Sequence, residues 1–538
     1  MSNQLVMNIT AFETRVALIE NSLVTELFIE RTQDRGIIGN IYLGRVQRVL
    51  PGMQAAFVEL GLEKAAFLYV GDVVAPEIAD EEAENEFLPS DEMAVSAEVH
   101  DSMPPSESDA DKEKEPDALI NKEFKKPKFK RILPPIETLL RPGQEILVQV
   151  TKEPIGTKGP RVSCNISLPG QQLVFMPTYD RVGISRKITD DAERERLRTI
   201  LGDKKQNGVG GFVARTVAAG LSPEVLAIDA DFLVSMWDDI KRRAALVKAP
   251  HLVQAELDVA LKCIRDMTND NIDKVIVDDE LTFKNIGTFS TFLAPALSDK
   301  IELYQGPNPI FDAFGVEAEI ARAMQRKVWL RSGGYLVIDE AEALVVIDVN
   351  TGRFVGRRNL EDTILITNLE AVQEVAYQLR LRNIGGMVII DFIDMENKEH
   401  QERVLATLTA SLRKDRARCN VVRISELGLV EMTRQRTRES IERQLCESCF
   451  YCDGTGTLKS RKTIAFEIFR AICQKARVFV DPAIIVHAHP EVVDIIYGEE
   501  EEALSQIEND IGKRIIIKPR GSFHQEHFDI FGGKVSQE

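Results

Sequence analysis

"EALVVIDVNTGR", residues 342–353, carries an almost charge-free run into Asp348 and Asn350. Residues 385–395, "GGMVIIDFIDM", repeat the pattern and end on Asp391 and Asp394. Between them, "LEDTILITNLEAVQEVAYQLRLRN" (360–383) places apolar residues at helical spacing, with acids near its start and arginines near its end, as the helix dipole prefers. "IGG" follows as a stop signal. Strand, helix and strand make a βαβ crossover, so the two strands are expected to run parallel. Unbroken apolar runs predict strands covered on both faces. The acids then fall at the C-terminal ends of parallel strands, the edge where open α/β sheets bind ligands. Asp348 and Asn350, two apart, share a side. Asp391 and Asp394, three apart, are expected on opposite sides, so only one of them joins Asp348.

Two carboxylates and an amide offer only oxygen ligands, a set suited to Mg²⁺. A cation so held neutralises phosphate charge and lowers the pKa of water. Basic residues near such a site are Arg353 and the arginines of "EMTRQRTRES" (431–440). If that stretch is helical, Arg434 and Arg438 share a face. The competing explanations are turn-capping aspartates at the strand ends and arginines on a solvated helix face.

The 538 residues exceed what one core organises, so several domains are expected. At 44% hydrophobic and 28% charged the chain reads as soluble and globular. No apolar stretch approaches the roughly 20 residues that span a bilayer, and the N-terminus lacks a basic region followed by an apolar one. A cytoplasmic location is expected. The net charge of −18 argues against nucleic acid only until it is located. Residues 77–117 hold 16 acidic and 2 basic residues and account for −14 of it; "KEFKKPKFKR" (122–131) follows and is strongly basic.

Of the seven cysteines, Cys164, Cys263, Cys419 and Cys473 are scattered and read as small core residues. Cys446, Cys449 and Cys452 cluster in "CESCFYCDGTGTLK" (446–459) as two overlapping CxxC pairs. CxxC is half of a tetrahedral zinc thiolate site. No second pair lies nearby in sequence, so either a second subunit supplies the other sulfurs or a third cysteine takes part. A redox role is disfavoured because the pair leads into a polar Gly-rich turn instead of opening a helix. His487 and His489 read as strand residues.

Residues 5–32 alternate apolar and polar positions, the pattern of a meander, with a turn at "EN". "GNIYLGRVQRVLPGMQAAFVELGLEKAAFLYVGDV" (39–73) resembles an S1 domain, a small OB-type barrel, and resumes at "GQEILVQVTKEPIGTKGPRVSCNISL" (143–168). In that resemblance Phe57 and Phe67 lie on the outer face and can stack on bases; from pattern alone they serve equally well as barrel core. The intervening acidic insert cannot bury enough apolar surface to fold and is expected to be a disordered loop.

"VVIDVNTGRFVG", "NLEAVQEVAYQLRLRNIGGMVIIDFIDM", "GLVEMTRQRTRESIE" and the CxxC-DGTG element occur together and in order. In this the chain closely resembles the ribonuclease E/G family, from its first strands to about residue 530. The resemblance implies a single-strand-specific, Mg²⁺-dependent endoribonuclease of rRNA maturation and mRNA decay, stimulated by a 5′-monophosphate. It implies Asp348 and Asp391 as Mg²⁺ ligands supported by Asn350, with Asp394 matching a family aspartate of less certain role. It implies Cys449 and Cys452 as zinc ligands shared across a homodimer, although Phe450 stands where the family usually has proline. Gly170, Val174, Arg215 and Thr216 match its 5′-phosphate sensor. Lys158, Arg186, Arg434 and Arg436 are further candidates for RNA contact. The implied fold is multidomain α/β: an RNase H-like subdomain in two parts (1–36 and 260–323), an S1 domain (37–166, with its insert at about 76–130), a 5′-sensor region (167–259), a DNase I-like catalytic subdomain (324–445), a zinc link (446–459) and a small C-terminal domain (460–538). The chain resembles the short form of the family, without a long disordered scaffold. A non-catalytic RNA-binding factor leaves the Asp/Asn/Asp set without a use, and a DNA phosphodiesterase fits the family motifs less well.

Overall fold

The computed structural model describes residues 3–74, 134–154, 158–205, 210–267, 272–293, 295–352, 360–425 and 428–533. The acidic insert, the basic run 122–131 and Arg353 lie outside the described residues. Two compact units result, Met1–Gln444 and Leu445–Glu538.

In the first unit the opening meander forms. Strands Asn3–Ile9, Glu13–Glu20 and Leu23–Arg31 pair antiparallel. The second hairpin turns at Asn21 and Ser22, both at positive φ (52° and 66°), the backbone of the tight turns that match strand twist. The first strand also pairs in parallel with Lys274–Val277, which pairs with Ile301–Leu303, so one five-stranded sheet joins the start of the chain to residues 274–303.

The barrel is closed by strands Ile41–Leu50, Ala55–Glu59, Ala66–Tyr69, Arg161–Ser163 and Glu145–Lys152, with Ile41–Leu50 pairing back onto Glu145–Lys152. Ala56, Val58, Ala66 and Leu68 fill its interior. A four-stranded sheet follows, ordered Val182–Ile184, Gly211–Ala214, Leu173–Met176, Leu168–Pro169. Helix Pro223–Leu246 packs Leu226, Ala230, Leu233 and Ile240 into the same core as Phe175 and Phe212.

The βαβ unit sits in a six-stranded sheet ordered Lys327–Trp329, Tyr335–Glu340, Leu344–Asn350, Gly386–Asp391, Leu429–Arg434, Cys419–Ile424. Leu344–Asn350 and Gly386–Asp391 run parallel, joined through helix Leu360–Leu381. The expectation of two covered faces is corrected. Ile347, Val388 and Ile390 are fully buried with residues of Leu360–Leu381 and Lys398–Leu412. Val346 is 37% and Met387 52% exposed, so helices cover one face and the other is open. The 431–440 segment is likewise not a helix: it ends the strand Leu429–Arg434, and irregular chain with a bend at Arg438 follows to Ser440.

A buried charge cluster fastens this sheet's helix to the opening meander. Arg380 donates to both carboxylate oxygens of Glu20 (3.0 and 2.9 Å) and to Glu26 (2.9 Å). Burial alone would raise the Glu26 carboxyl, but Arg416, Arg380 and Arg438 together hold it below its usual range.

The second unit is a three-stranded sheet, Arg514–Pro519, Ala483–Ala488, Phe528–Gly533, whose first two strands are parallel. Helices Arg461–Lys475, Pro490–Gly498 and Glu501–Ile511 complete its core. His487 lies in the strand as expected, whereas His489 caps Pro490–Gly498 through its ring nitrogen. Of the scattered cysteines, Cys263 is buried and Cys164 and Cys419 are half-buried; Cys473 is exposed, against the expectation of a core residue.

Glu26→Gln is expected to lower the urea-unfolding midpoint by the equivalent of about 3–5 kcal/mol at neutral pH, the usual effect of leaving a buried charge partner unpaired. Because Glu26 is depressed in the folded chain, its contribution is complete above the unfolded carboxyl pKa and is lost as pH falls through the folded value. The gap between wild type and variant should therefore narrow below about pH 4; a gap that widens there would be inconsistent with this cluster.

Candidate active site

Parallel pairing puts Asp348 directly opposite Asp391. Register partners on adjacent strands, about 4.8 Å apart, project to the same face. Both are exposed, on the uncovered face of the sheet. Asn350 follows two residues later on that face and donates from Nδ2 to Asp348 Oδ2 at 2.8 Å. Asn350 is held from behind: a Cβ on Gly334 would stand 2.7 Å from its carbonyl oxygen, so the hairpin before strand Tyr335–Glu340 needs glycine there.

Asp394 departs from expectation. The strand ends at Asp391, so the alternation that placed Asp394 on the far side does not continue to it. Burial, then Asp348, then Asp394 push the Asp391 carboxyl above its usual range. Three acids thus converge electrostatically. Asn368, missed in the sequence, braces this loop: its fully buried side chain donates to Ile393 O (2.8 Å) and accepts from Ile393 N (3.1 Å). A buried Asn in the middle of an apolar helical stripe was its only signal.

This donor set fits a hard divalent cation. Two carboxylates brought side by side concentrate negative charge, which favours a cation placed between them. Among the described residues no group of three or more His, Cys, Asp or Glu side chains gathers as a metal cage.

The arginines sort differently. Arg434 is 5% exposed and clamped bidentate to Asp415 (2.7 and 3.1 Å) while donating to Ile384 O. It is corrected from RNA contact to a structural ion pair, because on a strand it points into the covered face. Arg438 donates to Leu27 O and lies 3.7 Å from the Phe28 ring centre. Arg436 is exposed and donates to Gly385 O at 3.3 Å.

On the barrel, Phe57 and Phe67 are register partners on the outer wall, half-buried, with ring centroids 6.1 Å apart. They are not barrel core. Arg48 stands opposite Phe57, and Arg161 opposite Phe67, so a row of cation, ring, ring, cation crosses the wall. Arg161 is also paired with Asp72 at 2.8 Å. Lys158 and Arg186 are exposed.

Around Gly170 the structure brings three expected residues together. Arg215 donates to the carbonyls of Gly170 (2.9 Å) and Gln171 (3.2 Å) and pairs with Asp266 (3.1 Å). Thr216 Oγ1 lies 3.1 Å from Ser185 Oγ. Val174 faces inward, 2% exposed, among Met176, Tyr179 and Val213; its part is packing rather than contact. Asp229, also missed, accepts from the amides of Gln171, Gln172 and Leu173, and its oxygens stand where a Gly170 Cβ would need to be.

In the second unit, Cys449 and Cys452 share a tight turn. The backbone amides of Tyr451 and Cys452, and the Cys452 thiol, hold the Cys449 thiol below its usual range. The Gly456 amide donates to Cys452 Sγ at 3.3 Å. Amides aimed at the Cys449 sulfur favour its thiolate, the form that binds zinc. Cys446 and Phe450 are exposed.

A family model described as "Ribonuclease E/G family" matches residues 167–437. The chain is 42% identical to Ribonuclease G of Salmonella typhimurium and of Escherichia coli K12, over 98% of its own length and 99% of theirs. The chain belongs to the ribonuclease E/G family. Ribonuclease E of Escherichia coli K12 is 32% identical across 98% of the chain, which covers 45% of that relative. A second family model, "RNase E/G, Thioredoxin-like domain", matches residues 448–534. With family membership, the five-stranded barrel stands as an S1-like element. No helix among the described residues is long and apolar enough to cross a membrane.

Cys449→Ser combined with Cys452→Ser is expected to abolish zinc binding, read by metal analysis of purified protein. Stoichiometric zinc in the double variant would rule this pair out.

Proposed function

We propose that the chain is an endoribonuclease that cuts single-stranded RNA by Mg²⁺-dependent hydrolysis, leaving 5′-phosphate and 3′-hydroxyl ends. The observation that carries this is the register pairing of Asp348 with Asp391 on an open sheet face, with Asn350 bonded to Asp348. Asp348 and Asp391 would hold the ion. Bound there, Mg²⁺ offsets charge on the phosphate and lowers the pKa of water. Asn350 fixes the orientation of Asp348, and Asn368 holds the loop that follows Asp391. The barrel row through Phe57 and Phe67 offers stacking surfaces that tolerate any base.

Within this proposal the sheet of residues 3–31 and 274–303 is the RNase H-like subdomain, and residues 324–445 are DNase I-like. Gly170, Arg215 and Thr216 form the 5′-monophosphate sensor, in which Arg215 supplies a planar charged fork. Cys449 and Cys452 supply half a structural zinc site that a second copy completes, giving a homodimer. The natural substrates are rRNA precursors and mRNA in the cytoplasm.

The test is a 5′-monophosphorylated single-stranded oligonucleotide incubated with and without Mg²⁺, with product ends mapped. Asp348→Asn and Asp391→Asn should each lower cleavage by about 100- to 1000-fold, the scale expected on losing a charge-stabilising element of an active site, while RNA binding persists. Undiminished cleavage by either clean variant would remove these residues from the mechanism. A DNA oligonucleotide of the same sequence should remain intact.

Wild type should cut 5′-monophosphate RNA faster than 5′-hydroxyl RNA. Arg215→Lys is the better probe, because Arg215→Ala also breaks the Asp266 pair. The lysine variant should lose the preference yet still cut 5′-hydroxyl RNA; an intact preference would place the sensor elsewhere.

A further inference from the structure

Strand Lys327–Trp329 is the edge of the six-stranded sheet, and its Trp329 is 58% exposed. Trp329 stands opposite Tyr335, and Tyr335 opposite Asn350. Register partners share a face, so these three form one row across three strands on the same open face as Asp348 and Asp391. Lys327, two residues before Trp329, shares that face; it stands opposite Val337, which stands opposite Asp348. The Trp329 and Tyr335 rings lie 5.4 Å apart at 62°. The Lys327 ammonium sits 4.2 Å from the Trp329 ring centre and 3.4 Å from that of Tyr335.

The Trp329 ring thus stands in solvent, with the Tyr335 ring and Lys327 half-buried beside it; Tyr335 lies one strand and Trp329 and Lys327 two strands, roughly 10 Å, from the Asp348 strand. They fill no core, since the helices pack the other face. A ring surface with an adjacent cation is complementary to a base and its phosphate, and its distance from Asp348 is one that a nucleotide beside the cut can span. We infer that Trp329 and Tyr335 stack a nucleobase flanking the cut phosphate of single-stranded RNA, with Lys327 facing the adjoining phosphate. This rests on the ribonuclease function proposed above and adds a positioning subsite to it. Stacking of this kind is tolerant of base identity, so it sets the strand's position rather than its sequence.

The test uses the full chain. The protein has two tryptophans, Trp237 and Trp329, so fluorescence quenching that is present in the non-cleaving Asp348→Asn protein and absent when Trp329→Phe is added reports position 329. An oligonucleotide should quench, and the same oligonucleotide made abasic beside the cut should not. In cleavage, Trp329→Ala should lower kcat/KM about 10-fold, with Trp329→Phe recovering most of the loss. The abasic substrate should cost wild type the same factor and cost Trp329→Ala nothing more. Equal quenching by both oligonucleotides, or an unchanged kcat/KM in Trp329→Ala, overturns the stacking role. So does a change of oligomeric state in Trp329→Ala without base-dependent quenching, which would make the face a contact for a second copy. If wild type cuts no RNA, the ribonuclease proposal falls, while the quenching experiment still decides whether a base stacks here.

Discussion

The site depends on one register. Two parallel strands, Leu344–Asn350 and Gly386–Asp391, are aligned so that Asp348 meets Asp391. Slipping either strand by one residue would send its acid to the helix-covered face, where an unpaired carboxylate is costly. The buried alternation of Val345, Ile347 and Val349 against Val388 and Ile390 opposes that slip. The helix between the strands, its Asn368 clamp and the glycine hairpin behind Asn350 all secure the same alignment. Packing on one face therefore sets the chemistry on the other.

The sequence already carries the βαβ crossover, because hydrophobic period, helix-end charges and the glycine stop agree there. It also carries the meander, and the barrel through its glycine-punctuated strands. It does not carry the open face. Val346, Ile389 and Met387 are as apolar as their buried neighbours, so composition makes a one-sided sheet look two-sided. The same ambiguity hides the fate of Arg434: three arginines two apart fit a strand as well as a helix, and the pairing of Leu429–Arg434 with Gly386–Asp391 decides which way Arg434 points. Alternation does not reach Asp394, because the strand ends at Asp391.

Residues whose work lies in long-range contacts were the least legible. Asp229 meets the Gln171–Leu173 amides, and Asp266 meets Arg215, from helices far along the chain. Nothing in their local sequence distinguishes them from surface acids. Phe57 and Phe67 had two equal fates on pattern alone, and the row they form with Arg48 and Arg161 emerges only from strand register. The apolar residues therefore announced the architecture, whereas the polar ones acquired roles from what folding placed beside them.

The first sheet has a consequence for synthesis. Strand Asn3–Ile9 is synthesised well before its parallel neighbour Lys274–Val277, and Asn3 is bonded to Asp273 across 270 positions. Until that neighbour is made, the nascent meander shows an open strand edge and an apolar layer of Leu5, Met7, Val16 and Leu18 that awaits Ala260, Ile264 and Ile286. Open edges and bare apolar layers attract chaperones, proteases and other chains. The barrel's strands, by contrast, all lie within one shorter stretch of chain and can close before the sheet that precedes them in sequence is complete.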